Sequence, residues 1–426
     1  MKGDIPVNNK HKNHTMNQVV DIEMKQIFAR ELERQKNQII LIASENFTSQ
    51  EVIKTMGSIL TNKYAEGYPQ DRYYEGCEVM DQVEDLAIRR CNELFSSNFS
   101  NVQPHSGVQA NTAVFLAVLN CNDRILSMNL RDGGHLSHGH KQNLTGRYFE
   151  ISTYSVDPET EMIDYENVRK IAKIAKPKLI IAGASAYSRF IDYKKFKDIA
   201  DEVGAFLMAD IAHIAGLIVG GVHPTSVGIA DFTTATTHKT LRGPRGGLII
   251  ADKKYSGLIN KSVFPGTQGG PLMHIIAAKA VCFKEAMQPS FKEYAKAIIE
   301  NAKALCSYLK ERGFRVVSGG TDNHLFLVDL NNQDITGYEA SETLASVGII
   351  LNKNVIPYDK LNPNITSGIR VGTPAVTTQG MGIEEMYKIG EFITFVLKNR
   401  ENRTALADVA KKVKALANEF PVYTNM

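Results

Sequence analysis

The sequence predicts an α/β protein whose central sheet is mostly parallel and covered by helices on both faces. Between about residues 102 and 250, short apolar segments alternate with helical segments. Strands that are apolar along their whole length are typical of parallel sheets, because both faces of such sheets are buried. The predicted strands lie at 123–128, 178–183, 205–210, 231–236 and 246–251.

The two ends of the chain predict smaller units. Apolar residues recur at helical spacing between Val19 and Glu33, which indicates a helical arm that packs on another part of the protein. A long helical pattern from His274 to about Arg312, interrupted near Pro289, leads into a region where strands and helices alternate again. There the strands are expected at 324–330 and 368–374, and a helix at 337–348.

These patterns divide the chain into four parts. We expect a disordered tail over 1–15, which a targeting presequence would also fit, and an arm over 16–60. A large α/β domain should span 61–285, and a small α+β domain should span 286–426.

Composition excludes several classes of protein. The chain has 426 residues, and 49 Lys+Arg against 46 Asp+Glu leave a formal charge of +3, so neither nucleic acid nor a membrane surface is an expected partner. Its five cysteines are scattered without a CxxC pair, which favours a reducing compartment and a cytoplasmic location. No apolar run approaches the roughly 18 residues of a membrane span.

The segment TTATTHKTLRGPRGG (233–247) contains the most distinctive single residue, Lys239. The pattern predicts that a buried strand ends there, because a β-branched run gives way to glycine, proline and arginine. Burial disfavours an ammonium ion, lowers its pKa and makes the amine a nucleophile for imine formation. Taken alone, the segment favours an ordinary strand-end lysine whose amine reaches solvent.

A second strand end supports a catalytic role for Lys239. Asp210 ends the segment at 205–210, and ligands of open α/β sheets gather at the carboxyl ends of strands. Pyridoxal phosphate needs a lysine, an acidic partner for its ring nitrogen and donors for its phosphate. Ser106 and Gly107 open a predicted helix whose free N–H groups suit a phosphate, and the loop 266–270 offers a weaker anion site. A helix N-cap is the ordinary alternative for Asp210.

Ten ordered segments together make the chain resemble the serine hydroxymethyltransferase family. They are LIASEN (41–46), NKYAEGYP (62–69), RYY (72–74), PHSG (104–107), GGHLSHG (133–139), SAYSR (185–189), DIAHIAGL (210–217), TTHKTLRGPRGG (236–247), PGTQGGPLMH (265–274) and SGIRVGTPA (367–375). The resemblance runs from about Met24 to the C-terminus. It implies the aspartate aminotransferase fold, with a seven-stranded sheet in the large domain, and pyridoxal phosphate as cofactor.

The resemblance also implies roles for individual residues. Lys239 would hold the cofactor as a Schiff base, Asp210 would pair with the ring nitrogen, and Glu66 would transfer a proton, with His135 and Tyr74 completing the catalytic set. Further cofactor contacts are implied for Tyr64, Ser106, Gly107, His135, Ser185, His213, His238, Gly269 and Gly270. Substrate contacts are implied for Ser44, Glu66, Tyr74, His213 and Arg370. Folate contacts are implied for Tyr73, Leu130, Gly134, Leu136, Asn354, Asn362, Pro363 and Asn364.

The implied reaction transfers the β-carbon of L-serine to tetrahydrofolate and yields glycine and 5,10-methylenetetrahydrofolate. Folate-independent cleavage of other 3-hydroxy amino acids is expected as a side activity. In the family the Tyr–Glu loop (64–74) and the GTQGG loop (266–270) reach the active site of the neighbouring subunit. The resemblance therefore implies a homodimer with shared sites.

Two alternative functions remain open at this point. A threonine aldolase or an α-oxoamine synthase would share Lys239, Asp210 and Arg370 but would need neither the Tyr–Glu loop nor a folate pocket. A metal-binding protein would use His135, together with His138 and His140, because imidazole is a good zinc ligand. No carboxylate or cysteine lies at recognisable ligand spacing, so we predict no metal.

Overall fold

The computed structural model describes residues 21–424. Its strands are β1 (Ile39–Ile40), β2 (Gly67–Tyr68), β3 (Asp71–Arg72), β4 (Ser100–Asn101), β5 (Arg124–Met128), β6 (Glu150–Tyr154), β7 (Leu179–Gly183), β8 (Phe206–Asp210), β9 (Phe232–Thr236), β10 (Gly247–Ala251), β11 (Arg315–Val316), β12 (Leu325–Asp329), β13 (Ile349–Ile350), β14 (Asn352–Asn354) and β15 (Gly368–Gly372). Its α-helices are α1 (Ile22–Asn37), α2 (Gln50–Met56), α3 (Glu78–Phe95), α4 (Gly107–Val118), α5 (Leu144–Tyr148), α6 (Tyr165–Ala175), α7 (Tyr193–Val203), α8 (Ala215–Val219), α9 (Ser256–Lys261), α10 (Met273–Ala286), α11 (Pro289–Glu311), α12 (Gly337–Ser346), α13 (Pro374–Thr378), α14 (Ile383–Lys398) and α15 (Arg403–Glu419).

The large sheet has seven strands in the order β4-β10-β9-β8-β7-β5-β6. Strands β6, β5, β7, β8 and β9 pair in parallel. Strand β10 pairs antiparallel with both β9 and β4, so β10 runs opposite to the other six strands. The predicted α/β class with a mostly parallel sheet is therefore confirmed. All five predicted strands form. The edge strand β6 was not predicted because its side chains are half exposed, so its sequence lacks a continuous apolar run.

The C-terminal part of the chain forms a second, four-stranded antiparallel sheet in the order β11-β12-β15-β14. Its apolar core is separate from the core around the large sheet, and β1 joins it by pairing with β13. Helix α11 contributes its first half to the large core and its second half to the small one. A domain boundary at residues 285/286 stays a prediction, because this helix continues from one core into the other.

The predicted arm contains helix α1, which begins at Ile22 and is capped by the Asp21 carboxylate through the Met24 N–H at 2.9 Å. None of its residues is buried, and Ile22 and Phe28 are 65% and 64% exposed. The tail predicted over 1–15 and the start of the arm lie outside the described residues. Within the described chain, no helix combines the length and apolarity needed to cross a membrane.

Candidate active site

A cavity of about 570 Å³ opens at the carboxyl edge of the large sheet. Strands β8 and β9 are parallel neighbours, so Asp210 at the end of β8 and Lys239, three residues beyond β9, come to the same edge. Thirteen of the residues predicted for the site line this cavity. They are Ser44, Ser106, Gly107, Leu130, Gly134, His135, Leu136, Ser185, Asp210, His213, His238, Lys239 and Arg370.

Lys239 is a buried amine that faces the cavity. Its residue is 9% exposed, and its Nζ has no hydrogen-bond acceptor among residues 21–424. Burial lowers the pKa of Lys239 to about 8, although the nearby Asp210 carboxylate opposes the shift. A substantial neutral fraction near that pH makes the amine a competent nucleophile toward an aldehyde.

Asp210 is held as a carboxylate by three donors. His138 Nε2 lies 2.9 Å and Asn111 Nδ2 2.8 Å from Oδ2, while the Ala212 N–H donates to Oδ1 at 3.0 Å. Burial alone would raise the pKa of Asp210, but the hydrogen bonds from His138 and Asn111 oppose burial, and the pKa is held well below its usual range. The N-cap alternative fails, because the next helix, α8, has Ile214 as its N-cap.

The histidines of GGHLSHGH have separate partners. His138 Nδ1 accepts the His135 N–H at 3.4 Å, so the His138 proton is on Nε2 and points at Asp210. His135 Nδ1 lies 2.8 Å from Ser137 Oγ, and His140 Nδ1 accepts a backbone N–H. Among the described residues, no group of three His, Cys, Asp or Glu side chains is placed to hold a metal ion. The geometry therefore favours the cofactor hypothesis over the metal one.

The N-terminus of α4 closes one end of the cavity. Ser106 caps the helix by accepting the Gln109 N–H at 3.2 Å, which leaves the N–H groups of Gly107 and Val108 without intrahelical acceptors. Gly107 must be glycine because a Cβ there would lie 2.6 Å from Thr236 Cγ2. His238 Nδ1, also at this cavity, is buried without a partner in the described chain. Free donors and a close backbone approach suit a phosphate group.

Arg370 lies on β15 and reaches the cavity from the small sheet. Its Nη1 donates to the Ser185 carbonyl at 2.7 Å and its Nε to Asn352 Oδ1 at 3.1 Å. Burial lowers the pKa of Arg370 to about 10, so it stays charged at neutral pH. These two bonds orient the guanidinium and leave donors on Nη2 for an anionic group such as a carboxylate.

The residues present therefore fit pyridoxal phosphate. A nucleophilic amine, an ionised carboxylate and a phosphate-compatible helix end line one cavity, as the cofactor requires. The orphaned His238 Nδ1 adds a polar atom that a ligand would satisfy.

The Tyr–Glu loop and the GTQGG loop form a second cluster apart from this cavity. A Cβ on Gly269 would lie 3.1 Å from Glu66 Oε1, and one on Gly270 would lie 3.1 Å from Tyr64 Cε1. The charge of Glu66 raises the pKa of Tyr74, whose ring packs against Tyr64 with centroids 5.4 Å apart. Tyr64, Tyr73 and Tyr74 are 59%, 75% and 47% exposed, and none of the predicted residues of this cluster lines the cavity.

Only some of the residues implied to contact folate line the cavity. Leu130, Gly134 and Leu136 line the cavity, whereas Tyr73 packs against Phe264 at 5.5 Å between ring centroids. The remaining positions, Asn354, Asn362, Pro363 and Asn364, do not line it.

Several residues of the site were missed by sequence reasoning. Asn111 and His138 bind Asp210, Arg245 lines the cavity, and His324 contacts His213 at 3.2 Å between ring nitrogens. The sequence signal for His138 was the histidine cluster, which was interpreted as a possible metal site. For His324, the only available signal was its place as the first residue of the strand predicted over 324–330.

Comparison with known families agrees with this geometry. The family model described as Serine hydroxymethyltransferase matches residues 17–393, which is most of the chain.

Proposed function

Because the chain belongs to the serine hydroxymethyltransferase family, we propose that Lys239 is the residue that binds its cofactor covalently. Family membership makes the protein a pyridoxal phosphate enzyme that interconverts serine and glycine, with tetrahydrofolate as the one-carbon co-substrate. The observation that carries the assignment is the buried Lys239 amine, without an acceptor in the described chain, in the same cavity as the ionised Asp210.

Different residues of the cavity are proposed to bind different parts of the cofactor and the substrate. Pyridoxal phosphate, when bound, supplies an electron sink for the pair released as a bond to the substrate α-carbon breaks. Asp210 keeps the ring nitrogen protonated, and His138 and Asn111 hold that carboxylate in place. The α4 N-terminus would hold the phosphate of the cofactor, and His135 would contact its ring. Arg370 binds the substrate carboxylate with the help of Ser44.

The assay that tests this function compares two reactions. With L-serine and tetrahydrofolate, the purified protein should form glycine and 5,10-methylenetetrahydrofolate. The side activity should appear as slower cleavage of allo-threonine without folate. If allo-threonine cleavage is fast and serine turnover does not depend on folate, the protein acts as an aldolase and the proposed reaction is wrong.

We also propose that the active site is completed by a second subunit. The cluster formed by the Tyr–Glu and GTQGG loops has three exposed tyrosines and a half-buried Glu66, and it lies apart from the cavity of its own chain. The family resemblance nevertheless implies that its residues contact cofactor and substrate. A second copy that places this cluster over the cavity would reconcile the two observations.

The five free cysteines, four of them buried, are compatible with the cytoplasmic location proposed above.

Subunit mixing tests the shared site. Lys239→Ala and Glu66→Gln subunits, each inactive as homodimers, are co-expressed with different tags and purified as heterodimers. If Glu66 serves the neighbouring site, one of the two sites is intact and about half of the parent activity returns. A heterodimer as inactive as the two homodimers would place Glu66 in its own subunit's site, and an active Glu66→Gln homodimer would remove its catalytic role.

A substitution at Val108 tests the proposed binding of the cofactor phosphate at the N-terminus of α4. It occupies the second position of α4, lines the cavity and is 40% exposed, where the family usually has a small residue, often Ser or Ala. We expect Val108→Ser to lower the Kd for pyridoxal phosphate by about 2- to 10-fold through one added hydrogen bond. Val108→Ala is the control, since it removes the bulk without adding a donor. A serine variant that binds no tighter than the alanine variant would contradict this expectation.

A further inference from the structure

Two buried histidines face each other behind the cavity. His213, beyond β8, and His324, just before β12, have Nδ1 and Nε2 3.2 Å apart, and their rings stack with centroids 5.4 Å apart. His213 is 5% exposed and His324 is fully buried. The contact joins the edge of the large sheet to the start of a strand in the small one.

The turn that holds His324 is tightly bonded. Thr321 Oγ1 donates to the Leu325 carbonyl at 2.6 Å, and the Leu325 N–H donates to Asn323 Oδ1 at 3.1 Å. Asn323 Nδ2 also donates to the Tyr187 carbonyl at 3.1 Å, which ties the turn to the large domain. The backbone on both sides of His324 is therefore held by bonds that do not involve the histidine pair.

Both rings are neutral. Burial lowers the pKa of His213 and of His324 well below the usual value, and the cations of Lys239 and Arg370 act in the same direction on each. His135 lies near His213 and His223 lies near His324. Asp210 and Arg189 line the same small cavity as the pair. A neutral pair shares a single hydrogen between Nδ1 and Nε2.

The direction of that hydrogen bond follows from the other nitrogen of His324. Its Nδ1 is buried and has no partner among the described residues. A buried N–H without an acceptor is rarer than an acceptor without a donor, so Nδ1 should be the unprotonated nitrogen. His324 then donates from Nε2 to His213 Nδ1, and His213 must carry its own proton on Nε2.

We propose that His324 is a positioning residue that holds His213 as an Nε2–H donor toward the cavity. His213 lines the cavity and its Nδ1 is engaged, so Nε2 is the nitrogen left for a ligand. The ligand atom it suits is an anionic oxygen, such as the phenolic oxygen of pyridoxal phosphate. This inference rests on the proposed function for the identity of that oxygen, but the tautomer of His213 does not depend on it.

NMR spectroscopy can determine the tautomer of His213 directly. Long-range ¹H–¹⁵N spectra of the full-length protein labelled in histidine, with and without pyridoxal phosphate, distinguish protonated from unprotonated ring nitrogens. The His213 signals are those absent from a His213→Gln variant. We expect Nδ1 unprotonated and Nε2 protonated, and a protonated Nδ1 would overturn the proposal.

Variants test the consequence. His324→Leu removes the donor and should raise the Kd for pyridoxal phosphate about tenfold. His324→Gln keeps an N–H donor near the Nε2 position and should stay within about threefold of the parent. The control is His223→Gln, a nearby buried histidine whose Nδ1 lies 2.9 Å from the Pro224 carbonyl. If leucine, glutamine and control variants bind alike, the positioning role is wrong. A parent that binds no pyridoxal phosphate would instead refute the proposed function.

Discussion

Replacing Lys239 by alanine is expected to lower kcat by about 10⁴-fold or more and to leave the protein colourless. The amine is buried at the cavity and its pKa is lowered to about 8, so no other side chain of the site can supply the same nucleophile. Absorbance spectra after incubation with pyridoxal phosphate and the serine–folate assay measure the two effects.

A small amine added to the Lys239→Ala protein provides the matched control. Methylamine should restore part of the activity, since it replaces the missing nitrogen without repairing any structural damage. A Lys239→Ala protein that keeps its colour and stays within tenfold of the parent kcat would show that another residue binds the cofactor.

Replacing Asp210 by asparagine is expected to lower kcat by about 10²- to 10³-fold, while pyridoxal phosphate still attaches to the protein. Asparagine cannot keep the ring nitrogen protonated, and its amide would place N–H groups against the donors of His138 and Asn111. Steady-state kinetics with serine and tetrahydrofolate measure the loss.

Asn111→Ala separates charge from position, because it removes one donor to Asp210 but leaves the carboxylate. Its kcat should fall by no more than about tenfold. Equal losses in the two variants would mean that positioning, and not the charge of Asp210, carries the effect.

The comparison of two lysines shows how far sequence could identify the site. Lys239 was predicted because it follows a strand, where ligands gather in α/β sheets. Lys279 is also buried, and burial lowers its pKa to about 7, yet it lies within α10, where its sequence context is that of an ordinary helix. Its three hydrogen bonds go to the carbonyls of Val102, Pro104 and Gly247. Those partners are 177, 175 and 32 residues away in the chain. Only the fold therefore reveals that the Lys279 amine makes three hydrogen bonds to carbonyl groups.

The surroundings of Asp210 were beyond sequence reasoning for the same reason. Strand ends are local features, so the placement of Asp210 followed from its own segment. Its donors His138 and Asn111 come from 72 and 99 residues away, through a loop and a helix that meet only in the folded sheet. The arm shows a different limit: periodicity predicted α1 and its apolar face, but none of its residues is buried although the helix contacts α15.

Borohydride reduction followed by peptide mass spectrometry tests the central assignment most directly. Reduction of the protein after incubation with pyridoxal phosphate converts an imine into a stable secondary amine at the lysine that formed it. We predict a phosphopyridoxyl group on Lys239 and its loss when serine is added before reduction. A label on Lys279 or on another lysine, or no label at all, would contradict the account.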